Sequence, residues 1–287
     1  MRLLILGSDT PLGMALVARQ SLLGRHDIVS MSRSACRWKS ERQAKKSIVR
    51  AKSDIVVDVR IEAAGDGGVQ IQELDLQRCH WVSKACQRTT TAYLYLSSSR
   101  VFSGQLDRPY TEGDSADNHE DAGQLLASAE EVVRAGCERH LILRLGPIFS
   151  YEGANLITQM LGHLREGETL ILDNNLRGCP VAADDGARVI LAMLDQLGTG
   201  LEPWGVYHYG SSDTATYYEF AEALLAAASQ FFEFSSSAVQ LKRQPEGLLP
   251  LNRVLNCAKV RDTFAIRQVP WRSAIGDLVK HYHEEQQ

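Results

Sequence analysis

The first 145 residues alternate short apolar runs with helix-length stretches, and this rhythm restricts the fold more than any single motif. Arg2–Leu6 reads as a buried strand and Leu12–Leu23 as a helix with apolar residues at helical spacing. Asp27–Ser32 and Ile55–Val59 read as strands on either side of a polar, basic helix over Arg37–Lys52. A helix over Ile71–Arg88, a strand over Thr91–Ser97, a helix over Ala122–Glu138 and a strand over Leu141–Leu145 continue the series. Strands separated by helices pair in parallel through right-handed crossovers, which predicts an α/β fold with a doubly wound parallel sheet. After Pro147 the rhythm changes. Helices are expected over Asn155–Arg165, up to Leu197, over Tyr217–Gln230 and over Trp271–His283, with short strands at Thr169–Leu172 and Val206–Tyr209. Asp184 and Asp185 are expected to cap the helix that ends at Leu197. Ser235–Ser237 and Pro245–Asn252 read as loops.

Composition excludes several classes. With 287 residues, 44% hydrophobic and 23% charged, the chain can bury a sizeable core and is not disordered. The formal charge of −4 argues against a nucleic-acid partner held by phosphate neutralisation. No apolar run approaches the ~20 residues of a membrane span. Met1-Arg2 leads straight into a strand with no room for a signal peptide, so no membrane role and a cytoplasmic location are expected. Six scattered cysteines, at 36, 79, 86, 137, 179 and 257, read as reduced, buried thiols and not as a disulfide frame or metal site. No metal is expected, and His281-x-His283 reads as a solvated helix end.

The first strand ends at Gly7-Ser8-Asp9-Thr10-Pro11-Leu12-Gly13, where a helix begins. A strand, a glycine turn and a helix N-terminus make a dinucleotide site: the turn clears space for the pyrophosphate, and the helix dipole attracts its charge. Candidate cofactor residues are Gly7, Ser8, Thr10, Leu12, Gly13 and Arg33. Thr10 stands where the full fingerprint has glycine, and its side chain is expected to crowd the phosphate. The alternative is a turn whose glycines serve packing alone. The second strand ends at Ser32-Arg33, not at an acid that would hold a ribose diol. Arg33 suits a 2′-phosphate, so NADP is expected before NAD; the competing reading is a solvated basic helix face.

The stretch Ser97-Ser98-Ser99-Arg100-Val101-Phe102-Ser103-Gly104, followed by Pro109-Tyr110-x-Glu112-x-Asp114, resembles the S-T-D-Y-V-F-x-G…P-[YW]-x-E-x-D segment of dTDP-4-dehydrorhamnose reductases. These are extended short-chain dehydrogenases/reductases. Leu143-Arg144, Phe149, Gly153-x-Asn155, Gly178-Cys179-Pro180, Gly205-Val206-Tyr207-His208, Glu219-Phe220-Ala221, Leu255-Asn256-x-x-Lys259 and Pro270-Trp271 follow in family order. The resemblance covers almost the whole chain. It implies a Rossmann-type NAD(P)-binding domain over residues 1–146 and 181–208, with a smaller C-terminal α/β substrate domain over 147–180 and 209–287. It also implies a nucleotide-sugar ligand, with Gly153, Asn155, Arg177, Gly178 and Arg253 as candidate wall residues; turn chemistry and a surface arginine are the plainer alternatives. A homodimer is a further expectation drawn from the family.

The reductases reduce a 4-keto sugar with hydride from the nicotinamide, using a Ser/Thr hydroxyl and a Tyr/Lys pair at i and i+4 on one helix face. Here Ser98 keeps the hydroxyl, but counting from Glu112 the tyrosine falls on Ala122 and the lysine on Leu126. None of the nine tyrosines has a lysine four residues later, and no lysine lies between Gln105 and His140. Three readings stand: a non-catalytic homologue acting as sensor, scaffold or regulatory subunit with a protein partner, an active NADPH-dependent reductase with a displaced proton donor, or a structural protein with a vestigial pocket. The regulatory subunit of methionine adenosyltransferase, which resembles these reductases, is a precedent for the first. For the second, Tyr110 is the phenol nearest the site in sequence. His119-Glu120-Asp121 read as a polar loop capping the next helix.

Overall fold

A computed structural model describes residues 1–61, 71–235, 237–243 and 249–286. Glu62, Ser236 and residues 245–248 of the expected loop lie outside the described residues. The strands are β1 (Arg2–Leu6), β2 (Asp27–Met31), β3 (Ile55–Asp58), β4 (Ala92–Ser98), β5 (His140–Leu145), β6 (Ile148–Phe149), β7 (Leu170–Leu172), β8 (Leu176–Gly178), β9 (Val181–Ala182), β10 (Gly205–Tyr209), β11 (Ala215–Thr216), β12 (Val239–Leu241) and β13 (Leu251–Asn252). The helices are α1 (Pro11–Leu23), α2 (Glu41–Ala51), α3 (Glu73–Thr89), α4 (Asp121–Gly136), α5 (Leu156–Arg165), α6 (Ala183–Gly198), α7 (Tyr217–Ala228), α8 (Ala258–Phe264) and α9 (Arg272–Glu285).

Six strands form one all-parallel sheet in the order β10-β5-β4-β3-β1-β2. The chain leaves β1 for β2 on one side and returns to β3 on the other, so the switch point lies at the end of β1, beside the glycine turn. Helices cover both faces, which is why β3 and most of β4 are buried along their length and read as continuous apolar runs. This is the doubly wound α/β sheet that the alternating pattern predicts. A second core gathers Phe149, Ile157, Leu161, Phe220, Leu224, Trp271 and Val279 from the later elements, with the Phe220 and Trp271 rings 4.9 Å apart. Helix α8 packs back against the first core, where Phe264 meets the Tyr207 ring edge-on at 5.1 Å. Around these lie a three-stranded sheet, β11-β8-β13, and the pairs β12-β7 and β6-β9.

Differences from the sequence expectation fall at polar positions. Ala182 occupies the N-cap of α6, and Asp184 and Asp185 sit inside the first turn. There Asp184 pairs with Arg19 at 2.6 Å, while Asp185 takes Arg188 at 2.7 Å and the Tyr209 hydroxyl, so long-range partners outcompete local capping. His283 is half-buried and lies near the Phe231 and Phe232 rings at 5.2 and 5.1 Å, whereas His281 and residues 284–286 are exposed, so the helix end is solvated except at His283. The six cysteines are buried and unpaired, as expected.

Helix α4 is locked to the sheet by charge. Glu130, 0% exposed, accepts from Arg144 Nε at 2.8 Å and Nη2 at 2.6 Å and from the Ser97 hydroxyl at 2.6 Å. Arg144 also reaches His208 Nε2 at 3.2 Å and lies over the Phe102 ring at 5.0 Å. Removing one member of a buried, bonded ion pair strands the other charge, at about 3–5 kcal/mol. Glu130→Ala is therefore expected to lower the unfolding free energy by that amount, measured by denaturant titration with circular dichroism, whereas Glu131→Ala on the exposed face should cost under about 0.5 kcal/mol.

Candidate functional site

At the end of β1 the chain turns through Gly7 at φ +91°, a value that favours glycine. Space is as tight as the dihedral: a Cβ on Gly7 would lie 2.8 Å from the Arg60 backbone, and one on Gly13 only 2.1 Å from the Gly7 carbonyl oxygen. Thr10 caps α1 from this turn. It is 0% exposed, its hydroxyl donates to the Gly7 carbonyl at 2.9 Å, and it accepts from the Gly13 amide at 3.0 Å. The expected crowding of a phosphate by Thr10 therefore does not arise, because capping draws the side chain into the turn. The Leu12 side chain is buried in the core, and a Cβ on Gly186 of α6 would touch it at 3.0 Å. Ser8 and Asp9 form the accessible rim. Arg33 stands beside them, its amide bonded to Asp9 Oδ1 at 2.6 Å and its side chain about a third exposed. A third-exposed guanidinium at the end of β2, next to a helix N-terminus, fits a phosphorylated ribose. Beneath the rim, Cys36, Trp38 and Arg60 are buried, with Arg60 held bidentately by Asp58 at 2.8 and 2.6 Å.

A cleft of about 270 Å³ opens from this end of the sheet toward the second core. Ser98, at the end of β4, faces it together with Arg100 and Glu120, while Asn155, Arg177, Gly178 and Arg253 come from the other side. The structure thus brings five candidate residues onto one cavity: Ser98, Asn155, Arg177, Gly178 and Arg253. Gly153, at φ +75°, lies nearby, and a Cβ added there would stand 3.2 Å from the ring of Pro11, which lines the cleft. Gly7, Ser8, Thr10, Leu12, Gly13 and Arg33 are not among the lining residues.

Local chemistry explains the wall. Asn155 caps α5: its Oδ1 accepts from the Ser150 and Ile157 amides and its Nδ2 donates to the Glu152 and Gly153 carbonyls, so it orders the loop. Arg177 is held bidentately by Glu219 at 2.9 and 2.8 Å, and that bond first, working against burial, keeps the Glu219 carboxyl below its usual range. Arg253 is 9% exposed and reaches Glu120 Oε1 at 3.2 Å.

Helix α4 carries Ala122 and Leu126 on one face, with Glu130 one turn further along, and neither Ala122 nor Leu126 lines the cleft. Ala122 is half-buried, and Leu126 is 1% exposed within the first core. Glu120 is the N-cap residue but makes no side-chain capping bond; its carboxylate goes to Arg253 and, at 3.6 Å, to Arg100. Tyr110 does not reach the cleft. It is 1% exposed, stacks on Phe102 at 4.1 Å and accepts from the Gly104 amide at 3.0 Å. Among the lining residues not singled out from the sequence are Arg100 and Tyr217. Arg100 carried a signal, since it stands where the reductase pattern has tyrosine. Tyr217, at the start of α7, carried none.

A family model described as the RmlD substrate binding domain matches residues 1–284. The chain belongs to this family. A dTDP-4-dehydrorhamnose reductase of Burkholderia thailandensis is 24% identical over 301 residues, covering 98% of each chain. The crystal structure of a dTDP-4-dehydrorhamnose reductase from Clostridium acetobutylicum superposes with a TM-score of 0.79 at 17% identity, covering 98% of this chain and 99% of that one. Another, from Bacillus anthracis in complex with NADP, gives 0.79 at 16% identity, covering 98% of each. These structures share the Rossmann-type architecture. No helix among the described residues is long and apolar enough to cross a membrane.

His208, a residue of the family-like strand β10, is 0% exposed. Burial, and then the Arg144 charge, push its pKa down to about 3, so the ring is neutral and donates from Nδ1 to the Tyr110 carbonyl at 3.1 Å. In the unfolded chain the imidazole binds a proton near its ordinary value of about 6.5. Between those values the unfolded state holds more protons, so His208 makes stability fall as pH drops below about 6.5 toward 3. The expected limiting slope is about 1.4 kcal/mol per pH unit. Denaturant titrations from pH 7 to 4 should show this slope flattened in His208→Gln, and an unchanged slope would refute the assignment.

Proposed function

We propose that this protein binds a dinucleotide and a nucleotide sugar but does not reduce the sugar, and that it serves as a sensor, scaffold or regulatory subunit. The observation that carries the reading is the pair Ala122 and Leu126 on α4. In the reductases that this chain resembles, a phenol and an amine at these places deliver a proton to the ketone. A methyl group has no proton to give, and an isobutyl group in the core brings no charge to tune one. Losing a positioned acid typically forfeits about 10²–10⁴ in rate. The division of labour behind this reading assigns residues 1–146 and 181–208 to the cofactor and 147–180 and 209–287 to the sugar.

NADP is the proposed cofactor, held by the Gly7–Gly13 turn and by Arg33 at its 2′-phosphate; when bound it would supply hydride to a carbonyl. The NADP complex of the Bacillus anthracis relative supports this choice. Gly153, Asn155, Arg177, Gly178 and Arg253 are the proposed sugar-nucleotide contacts. The chemistry left to the chain's own residues is binding: Ser98 keeps a hydroxyl at the cleft, and Arg177 and Arg253 offer guanidinium groups to an anionic ligand. A second reading, an active reductase with a displaced donor, is favoured by one observation: Tyr217 brings a phenol to the same cleft.

Purified protein incubated with NADPH and a panel of 4-keto nucleotide sugars is expected to consume no coenzyme above background. The double variant Ala122→Tyr, Leu126→Lys, checked for folding by circular dichroism, is expected to gain measurable turnover. Robust native activity that disappears in Tyr217→Phe would establish the second reading instead. In a separate titration, Arg33→Ala should weaken NADP binding about tenfold, in line with loss of a charge-assisted bond, and leave NAD binding unchanged. Equal losses for both coenzymes would exclude a 2′-phosphate contact.

A further inference from the structure

The mouth of the cleft holds two arginines and one carboxylate, contributed from opposite sides. Arg253 follows β13, and its amide is fixed to the Arg177 carbonyl at 2.7 Å. Its side chain crosses to Glu120, the residue that begins α4, and Arg100, just past β4, approaches the other oxygen of the same carboxylate at 3.6 Å. Two guanidinium groups thus converge on one anionic point.

The anion now in that position is loosely seated. Glu120 is 55% exposed, is held by one hydrogen bond from Arg253 at 3.2 Å and another from the Asn118 side chain, and gives α4 no side-chain cap whose loss would oppose its departure. The other ion pair on the cleft, Arg177 with Glu219, is bidentate at 2.8 and 2.9 Å. Arg253 is the reverse of Glu120: its side chain is 10% exposed, and its Nε is buried with no hydrogen-bond partner. A buried guanidinium with an idle donor is costly to keep, and a half-exposed ion pair is worth little. An entering oxyanion that engages the guanidinium more fully than Glu120 would gain on both counts.

We propose that Arg253 and Arg100 form an anion cradle in which the Glu120 carboxylate is a stand-in, and that a carboxylate or phosphate of the ligand takes its place. Glu120 then acts as a gate: it ties the two sides of the cleft together when the cleft is empty and swings out on binding. The identity of the arriving group as part of a nucleotide sugar rests on the function proposed above; the exchange of one anion for another does not.

Isothermal titration of native protein, Glu120→Gln and Arg253→Leu with inorganic pyrophosphate, dTDP-glucose and dTDP-glucuronate tests this. Glu120→Gln, a change at an exposed position, should bind the competing anion about two- to fivefold more tightly, the worth of one exposed ion pair. Arg253→Leu should lose about tenfold or more. Tightening seen for all three probes identifies the diphosphate as the displacing group, and tightening confined to dTDP-glucuronate identifies a sugar carboxylate. Tightening for pyrophosphate without measurable binding of either nucleotide sugar would uphold the cradle and remove the nucleotide-sugar reading. Unchanged or weaker binding of every probe by Glu120→Gln would overturn the cradle.

Discussion

The ion pair between Glu130 and Arg144 sets the geometry on which the site depends. Both groups are sealed from solvent, so each is affordable only because the other is there with its hydrogen bonds complete. The pair joins the middle of α4 to β5, and through Ser97 and His208 it also takes in β4 and β10. One and two turns back along the same helix face stand Leu126 and Ala122. The pair therefore fixes the seat of α4 against β4 and β5, and on that helix face the chain carries an alanine and a leucine. The cleft, whose lining includes Glu120 before α4 and Ser97 and Ser98 of β4, keeps its shape as long as α4 keeps its seat.

The sheet was readable because its strands are buried on both faces and alternate with helices, so hydrophobicity alone marked Arg2–Leu6, Ile55–Val59 and Leu141–Leu145 to within a residue or two. The second core was harder. Its strands, such as β9, β11 and β13, are two residues long and too short to carry a period, and α8, at seven residues, was missed for the same reason. At the site, residues inside motifs could be found, and Ser98, Asn155, Arg177, Gly178 and Arg253 do share one cavity. Motif membership does not reveal what a side chain is doing, however. Tyr110 and Glu112 sit in the most family-like segment, yet one supports a loop through the Gly104 amide and the other accepts from the His208 amide at 3.0 Å. Tyr217 and Glu120 reach the cleft through tertiary approach, which no local pattern records.

The two ends of the binding region differ in how they are finished. Around the glycine turn, polar groups are already matched to one another: Thr10 with Gly7 and Gly13, Asp9 with Arg33, Asp58 with Arg60. Across the cleft, matching is incomplete, and Arg253 has a donor to spare. Specific binding needs some of both, because a wall that is fully satisfied is rigid and a group that is not gives a ligand something to gain.

Three of the places where the chain passes between its two cores, near Gly146, Cys179 and Gly210, meet at one spot. A Cβ on Gly146 would fall 1.8 Å from the Cys179 carbonyl oxygen, and one on Gly210 would fall 2.3 Å from the Cys179 sulfur. Backbone packed this tightly leaves the three connections no room to slide past one another, so the part of the cleft wall that Gly146 supplies is held by its neighbours.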